Sequence, residues 1–331
     1  MTRPKPSELD GVESITRRVT VTPGMCSGGS LIYSQIGDWT WDAVTAACRT
    51  NVYAATNLAG QPVYLSFYYF HVRAEGAIHP HGLSFGDELD VTSRVFGVGS
   101  QSVLTLHRLS FAGRLSIDSP LDPAEFYESP EADCMYIANF NRWISRRHPG
   151  SNKGLIESAP PEFRHQHLTT LPSVYSPRLI ARSARKEESF YPSGSPGFEP
   201  AESAYTMTYE VDVVRDINAA RLVYFASFFS IADTALRGLW RQLGRSDTDF
   251  LRRRVLEHRI CYFGNTEVGT ILSVKVKLLR HSNISDYEIA DITIRERHSG
   301  ELLSVVGIRT LLEEPECKMA RPATRQSGAR S

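Results

Sequence analysis

The sequence carries no excess of either charge. Lys+Arg and Asp+Glu both number 37, so the formal net charge is zero. A chain without a basic field has little to recruit nucleic acid or an anionic lipid surface, although a local patch for a phosphate-bearing ligand is still permitted. No apolar run reaches the length of a membrane span, and the N-terminal MTRPKPSELDG lacks the apolar core of a secretory signal. The five cysteines (Cys26, Cys48, Cys134, Cys261 and Cys317) are odd in number, widely spaced and free of CxxC or CxxH patterns. That argues against a disulfide framework and against structural zinc, and it points to a reduced, cytoplasmic protein. The GxSxG elbow, the Walker loop, the GxGxxG fingerprint and HExxH are all missing as well.

What is present is globular. The 331 residues, 41% hydrophobic and 22% charged, leave room for two ordinary domains or one duplicated one. Residues 1–15 and 315–331 have no hydrophobic period and are expected to be disordered tails. Between them two regions, 16–111 and 206–314, share one plan. In the first, Asp38 or Thr40 can cap a helix through DWTWDAVTAAC, with Trp41, Val44 and Cys48 on one face. Strand-like segments follow at PVYLSFYYFHVR, GDELDVTSRVF and SVLTLHRLSF. In the second, an apolar strand-like run near 209–229 precedes a helix. Ser230 and Asp233 suggest its capping box, Leu236, Leu239, Trp240 and Leu243 its apolar face, and Gly244 its stop. Ser246 and Asp249 form a second box, and four strands run from RICYF to LLSVVGIRTLL, with Gly300 at the last turn.

Each half therefore reads as a helix followed by long antiparallel strands, and GDELDVTSRV overlays weakly on GTILSVKVKL. A curled sheet around a helix, twice in one chain, is a double hot-dog fold of the α+β class. Two unrelated α+β domains are the alternative. Residues 112–205, with their Pro clusters, are expected to pack on the body as a connecting segment, with 183–204 as a mobile loop.

Few residues stand out for chemistry. Gly24 to Gly29 is Gly-rich but lacks the strand and helix of a phosphate cradle. His79-Pro80-His81 reads as a polar turn rather than a metal site, and Cys26 as an inert thiol. At Asp216-Ile217-Asn218 two readings stand: the polar pair caps a turn, or Asn218 faces a cleft and binds a thioester carbonyl or carboxylate. Strand alternation in 62–73 puts Tyr64, Ser66, Tyr68 and Phe70 on one face and Leu65, Phe67, Tyr69 and His71 on the other. Aromatics at that spacing are core residues unless a nearby donor or dipole activates a hydroxyl.

The blocks PGMCSGGSLIYSQIGDWTWDAVTAAC, PVYLSFYYFHVR, FGDELDVTSRVF, NFNRWI, VRDINAARLVYFASFF and LWRQLGRSD resemble the leinamycin-type (LnmK-like) bifunctional acyltransferase/decarboxylases. The resemblance runs over most of residues 18–312 and leaves out the tails. It implies a double hot-dog fold with one bifunctional site. Methylmalonyl-CoA would be decarboxylated there and the propionyl group passed to the phosphopantetheine thiol of an acyl carrier protein, in polyketide or hybrid polyketide biosynthesis. It also implies a tyrosine that carries the acyl group. Tyr64, which follows a loop, is the first choice, with Tyr68 and Tyr69 as fallbacks. A helix N-terminus near Gly37 and Asp38 would stabilise the enolate oxygen. No metal or redox cofactor is called for beyond the coenzyme A thioester.

Two other classes compete. A hot-dog thioesterase or dehydratase needs a carboxylate, or a histidine with a carboxylate, for which His71 and Glu267 are available. A non-catalytic carrier-binding module would use the basic residues of 142–153 and 252–259. The oligomeric state is not legible.

Overall fold

The computed structural model describes residues 14–26, 30–115, 120–191, 197–281 and 287–311. The two expected tails, apart from Ser14 and Ile15, and Ser27 to Gly29 of the Gly-rich stretch lie outside these residues. In chain order, β1 (Ile15–Thr20) leads to α1 (Ser30–Cys48), β2 (Tyr64–Arg73), β3 (Glu88–Gly97) and β4 (Ser102–Phe111). Then come α2 (Pro123–Tyr127), β5 (Cys134–Ser145), β6 (Ile156–Glu157) and α3 (Pro177–Glu187). The second part holds β7 (Phe198–Glu210), α4 (Phe225–Gln242), α5 (Asp247–Arg252), β8 (Arg254–Tyr262), β9 (Ile271–His281), β10 (Tyr287–Glu296) and β11 (Leu302–Leu311).

The strands form one antiparallel sheet in the order β1-β3-β4-β5-β2-β8-β11-β10-β9-β7, with β6 paired to β5. That order is symmetric about the β2–β8 pair. β1, α1, β2, β3, β4 and β5 have counterparts in β7, α4, β8, β9, β10 and β11. The overlaid segments GDELDVTSRV and GTILSVKVKL are β3 and β9, which occupy matching places. Each half-sheet wraps its own helix, so the expected double hot dog is the architecture.

Local sequence explains most elements. In β9, Leu272, Val274, Val276 and Leu278 are buried while Lys275 and Lys277 are exposed, the period-two pattern of a half-buried strand. Gly244 stops the α4 segment with φ +74°, a left-handed conformation cheap only for glycine. The Ser246–Asp249 capping box of α5 is formed in both directions.

Five expectations are corrected. Helix α1 starts at Ser30, so Asp38 and Thr40 are interior; Thr40 Oγ1 instead donates back to Ile36 O at 2.9 Å. Helix α4 starts at Phe225 inside the run read as strand, and Ser230 and Asp233 lie within it. There Asp233 accepts from Arg253 Nη2 at 2.8 Å. The segment CMYIANFNRWIS is β5, an integral strand between β4 and β2. Much of the stretch expected as a mobile loop belongs to α3 or β7.

The fifth correction is in β2. Phe67 faces Asn141 of β5, but Tyr69 faces Phe140, so Tyr68 is an extra residue in a β-bulge. A bulge reverses the facing of everything beyond it. Leu65, Phe67, Phe70 and Val72 point toward the helices, while Tyr69 and His71 point to the outer face. Pairing of β2 with β8 is confined to Tyr69–Arg73. Below the bulge the two central strands part and leave a slot, bordered by Ser66 and Tyr68 on one side and Phe263 and Gly264 on the other.

The main core lies between the sheet and the two helices. Phe67 and Phe225 stack at 4.0 Å between centroids, and Gly37 of α1 fits against the Phe225 ring. The outer face of β2, β5 and β8 is covered by the connector, where Phe126, Ala181 and Ala184 join Tyr69, Tyr136 and Phe140.

Candidate active site

A cavity of about 770 Å³ opens where the start of β2, the end of β5 and the middle of α1 meet the loop before α4. Tyr64 is the first residue of β2 and stands on its wall. Its position is fixed from two sides. Val63 N donates to Ala55 O at 3.0 Å, and the Trp41 ring meets Tyr64 edge-on at 4.9 Å. Trp41 Nε1 donates to Leu65 O at 3.0 Å, which ties helix to strand at that point.

The Tyr64 hydroxyl accepts from Asn218 Nδ2 at 3.2 Å. Asn218 is itself held in a small hairpin: its N–H donates to Leu222 O at 3.0 Å, and its Oδ1 accepts from Leu222 N at 3.1 Å. Arg221 takes φ +59° at the tip, and Asn152 Nδ2 donates to its carbonyl at 2.7 Å. The two residues part company: Asp216 has the capping role, and Asn218 lines the cavity. Asp216 is structural, accepting from the Tyr209 hydroxyl at 2.9 Å and from Asp212 N at 2.8 Å. Asn218 faces the cavity.

Two further side chains of the wall were not singled out by sequence. Arg146 belongs to the basic 142–153 stretch; its Nη2 donates to Ala220 O at 2.6 Å and to Asn152 Oδ1 at 2.8 Å. Tyr224, the N-cap of α4, hydrogen-bonds through its hydroxyl to Ser34 Oγ at 2.6 Å. Only pairing between distant segments makes these residues visible.

Burial above all keeps the Tyr64 phenol protonated. Burial pushes its pKa well up, and Tyr224 and Asp38 add to this, while the Asn218 hydrogen bond pulls the other way. Asp38 opens onto the cavity, yet burial first and then neighbouring Asp42 raise its own pKa. The cavity thus holds both a neutral hydroxyl and a carboxylate with increased basicity.

Gly37, Asp38, Tyr64 and Asn218 come together in this one cavity. Gly37 does not act as expected. It sits inside α1, where amides bond to the preceding turn, so neither its N–H nor that of Asp38 is a free helix-end donor. A Cβ there would fall 2.4 Å from Phe225 Cζ, so its part is steric. The helix end that reaches the cavity is that of α4, through Tyr224 and Phe225. Tyr68 lines an adjoining cavity of about 250 Å³ in the slot, with the Arg142 guanidinium 4.8 Å from its ring centre. Tyr69 lies on the outer face, away from this cavity.

Other candidates fall elsewhere. His71 pairs with Glu257, Nε2 to Oε1 at 2.8 Å, whereas Glu267 accepts from Asn152 N at 2.6 Å. The His71–Glu267 combination is not assembled, and among the described residues no histidine lines the main cavity. His79-Pro80-His81 forms a turn. Burial, then Asp87, raises the Cys26 thiol pKa, as befits an inert thiol. Among the described residues no three metal-ligating side chains converge, and no helix is long and apolar enough to cross a membrane.

Solved structures share the architecture. A putative oleoyl thioesterase from Lactobacillus plantarum superposes with TM-score 0.58 at 14% identity, covering 92% of this chain and 96% of its own. The 12:0-ACP thioesterase from Umbellularia californica gives TM-score 0.57 at 9% identity, with 93% and 98% covered. At such identities the likeness establishes the fold. No curated protein matches the sequence significantly. The profile of the LnmK N-terminal Hot Dog Fold domain matches residues 16–192, more than half of the 331-residue chain, from β1 through α3 and including Gly37, Asp38, Tyr64 and Arg146. The chain belongs to that family.

Proposed function

We propose that the cavity decarboxylates methylmalonyl-CoA and transfers the resulting propionyl group to the phosphopantetheine thiol of an acyl carrier protein, in a cytoplasmic polyketide or hybrid polyketide pathway. The observation that carries this reading is the Tyr64 hydroxyl, hydrogen-bonded by Asn218, in a cavity that Asp38 also lines.

Asn218 donates to the Tyr64 oxygen, so the Tyr64 proton is left to point at a substrate oxygen. Both groups then serve the thioester carbonyl as it becomes an enolate. When the substrate C–C bond stands perpendicular to the thioester plane, CO2 departs with its electron pair left on the enolate, and no base is required. Apolar walls from Val63, Phe67, Leu222 and Phe225 disfavour the departing carboxylate and favour neutral CO2. Protonation at the α-carbon gives the propionyl thioester.

Transfer then proceeds in two steps. The Tyr64 oxygen attacks the propionyl carbonyl as its proton passes to Asp38, and coenzyme A leaves as thiolate, which is then protonated. The carrier thiol attacks the tyrosyl ester, loses its proton and releases the phenol. The slot between β2 and β8 gives the pantetheine arm a path from the outer face, past Ser66 and Tyr68, to Tyr64. The reaction draws on the thioester alone. Incubation with methylmalonyl-CoA and holo-carrier should yield propionyl-carrier and CO2. Free acid with an unloaded carrier would instead assign Asp38 as the water-activating base of a thioesterase.

A further inference from the structure

Helix α3 belongs to the connector and has no counterpart among the described residues of the second half. Ala181 and Ala184 pack it onto the outer face of the sheet. Arg178, Arg182 and Arg185 stand at i, i+4 and i+7, so they share one flank, and all three are exposed. Helix stability does not account for that flank. Arg178 lies in the first turn, where the helix dipole disfavours a cation, and that turn holds no acidic residue.

The flank borders the slot between β2 and β8. Three aromatic rings run across the strands there: Tyr68 meets Phe140 edge-on at 5.8 Å and Phe263 at 6.4 Å. Each ring has a guanidinium over it. Arg178 is 6.0 Å from the centre of Phe140, Arg142 4.8 Å from Tyr68 and Arg185 5.5 Å from Phe263. Arg142 and Arg185 line the slot itself. Arg142 is paired with Glu157. Arg178 donates to Val98 O and Ser102 Oγ, both neutral and both at 2.8 Å. Among the described residues neither Arg182 nor Arg185 pairs with a carboxylate, while neighbouring Lys186 pairs with Glu187 at 3.1 Å. The slot therefore opens on a surplus of positive charge, although the chain as a whole is neutral.

We propose that this flank of α3 docks the acidic face of an acyl carrier protein and so sets the phosphopantetheine arm at the mouth of the slot. The proposal rests on the carrier-loading reading above. A carrier delivers its arm from one serine, so the surface around that serine must lie against whatever surrounds the slot, and α3 is part of that surround. Exposed arginines in such a place speed encounter and fix orientation more than they add affinity. A carrier held there keeps its thiol at high effective concentration beside the slot.

The test is calorimetric titration of the whole protein with a holo-acyl carrier protein of acidic net charge. Binding should weaken as salt is added. Arg182→Glu should weaken it about tenfold with thermal melting unchanged. Lys275→Glu alters the net charge equally but lies on β9, four strands along from β2, and should leave binding within about twofold. The KM for methylmalonyl-CoA in CO2 release should be the same in Arg182→Glu as in the wild type. No carrier binding by the wild type, equal effects of Arg182→Glu and Lys275→Glu, or no effect of either would each overturn the docking surface. So would a KM for methylmalonyl-CoA raised as far as carrier affinity falls, which would assign the flank to the phosphates of coenzyme A. Binding read without turnover keeps the two proposals apart. A carrier that binds through α3 yet stays unloaded would sink the loading reading alone, and a loaded carrier indifferent to Arg182→Glu would sink the docking surface alone.

Discussion

The side-chain amide of Asn218 donates to the hydroxyl of Tyr64 at 3.2 Å, across 154 positions of sequence. The bond joins the hairpin before α4, in the second half, to the first residue of β2, in the first. Each half supplies a group that the other lacks, so the proposed site exists only when both are folded together.

The Asn218 amide is proposed to serve the developing enolate oxygen. Asn218→Ala should therefore slow CO2 release by about 10²–10³-fold in kcat, with a smaller effect on KM. Asn218→Asp, which replaces a donor with an acceptor, should not rescue it. Equal loss in KM and kcat/KM with kcat unchanged would assign the amide to ground-state binding alone.

Asp38 and Tyr64 are separable by step. Decarboxylation as proposed needs no base, so Asp38→Asn should retain CO2 release within a few-fold. Acyl transfer to the carrier should fall by about 10²–10⁴-fold, the usual worth of a positioned base. Carbon dioxide detection alongside carrier loading reads both steps in one reaction, and parallel loss of both would contradict the division of labour.

Gly37 is a packing residue at the contact between α1 and α4. An added Cβ would lie 2.4 Å from Phe225 Cζ and 3.3 Å from Phe67 Cζ. Overpacking of this kind costs about 1–3 kcal/mol. Gly37→Ala should lower the thermal midpoint and, because Phe225 and Phe67 also wall the cavity, reduce turnover. An unchanged melting curve would show that the helices give way freely.

Much of the fold was legible because side-chain periodicity survives in long strands such as β9, and because capping chemistry at Ser246–Asp249 is local. Placement of Tyr64 at a strand mouth followed from the loop before it. What was hidden has physical causes. The start of α4 has no side-chain cap: Tyr224 stands at its N-cap, and an aromatic run reads equally as strand or helix. The bulge at Tyr68 leaves no sequence mark, and by reversing the facing beyond it moved Tyr69 to the opposite side of the sheet. Arg146 and Tyr224 join the site through contacts far apart in sequence, which no local pattern encodes.

Acid should destabilise the protein early. Burial, the largest cause in each case, holds His71 and His79 down to about 4 and His107 and His258 down to about 3, against an ordinary 6.5. The unfolded chain takes up these protons first. The stability they confer is complete above pH 6.5 and is lost as the pH falls toward 3–4, by up to about 1.4 kcal/mol per pH unit for each. Burial of Asp291, which raises it from 3.8 to about 6, offsets one of these between those values. Urea midpoints should therefore drop between neutral pH and about pH 5; constant midpoints would mean that these imidazoles are already solvated.

The central claim rests on Tyr64 as the acyl-bearing hydroxyl. Intact-protein mass spectrometry after mixing with methylmalonyl-CoA and holo-carrier protein tests it most directly. The wild-type chain should show a propionyl adduct that transfers to the carrier thiol, and Tyr64→Phe should show neither adduct nor loaded carrier while keeping its fold. A propionyl-carrier formed at the wild-type rate by Tyr64→Phe, or an adduct lost instead in Tyr68→Phe, would contradict the assignment.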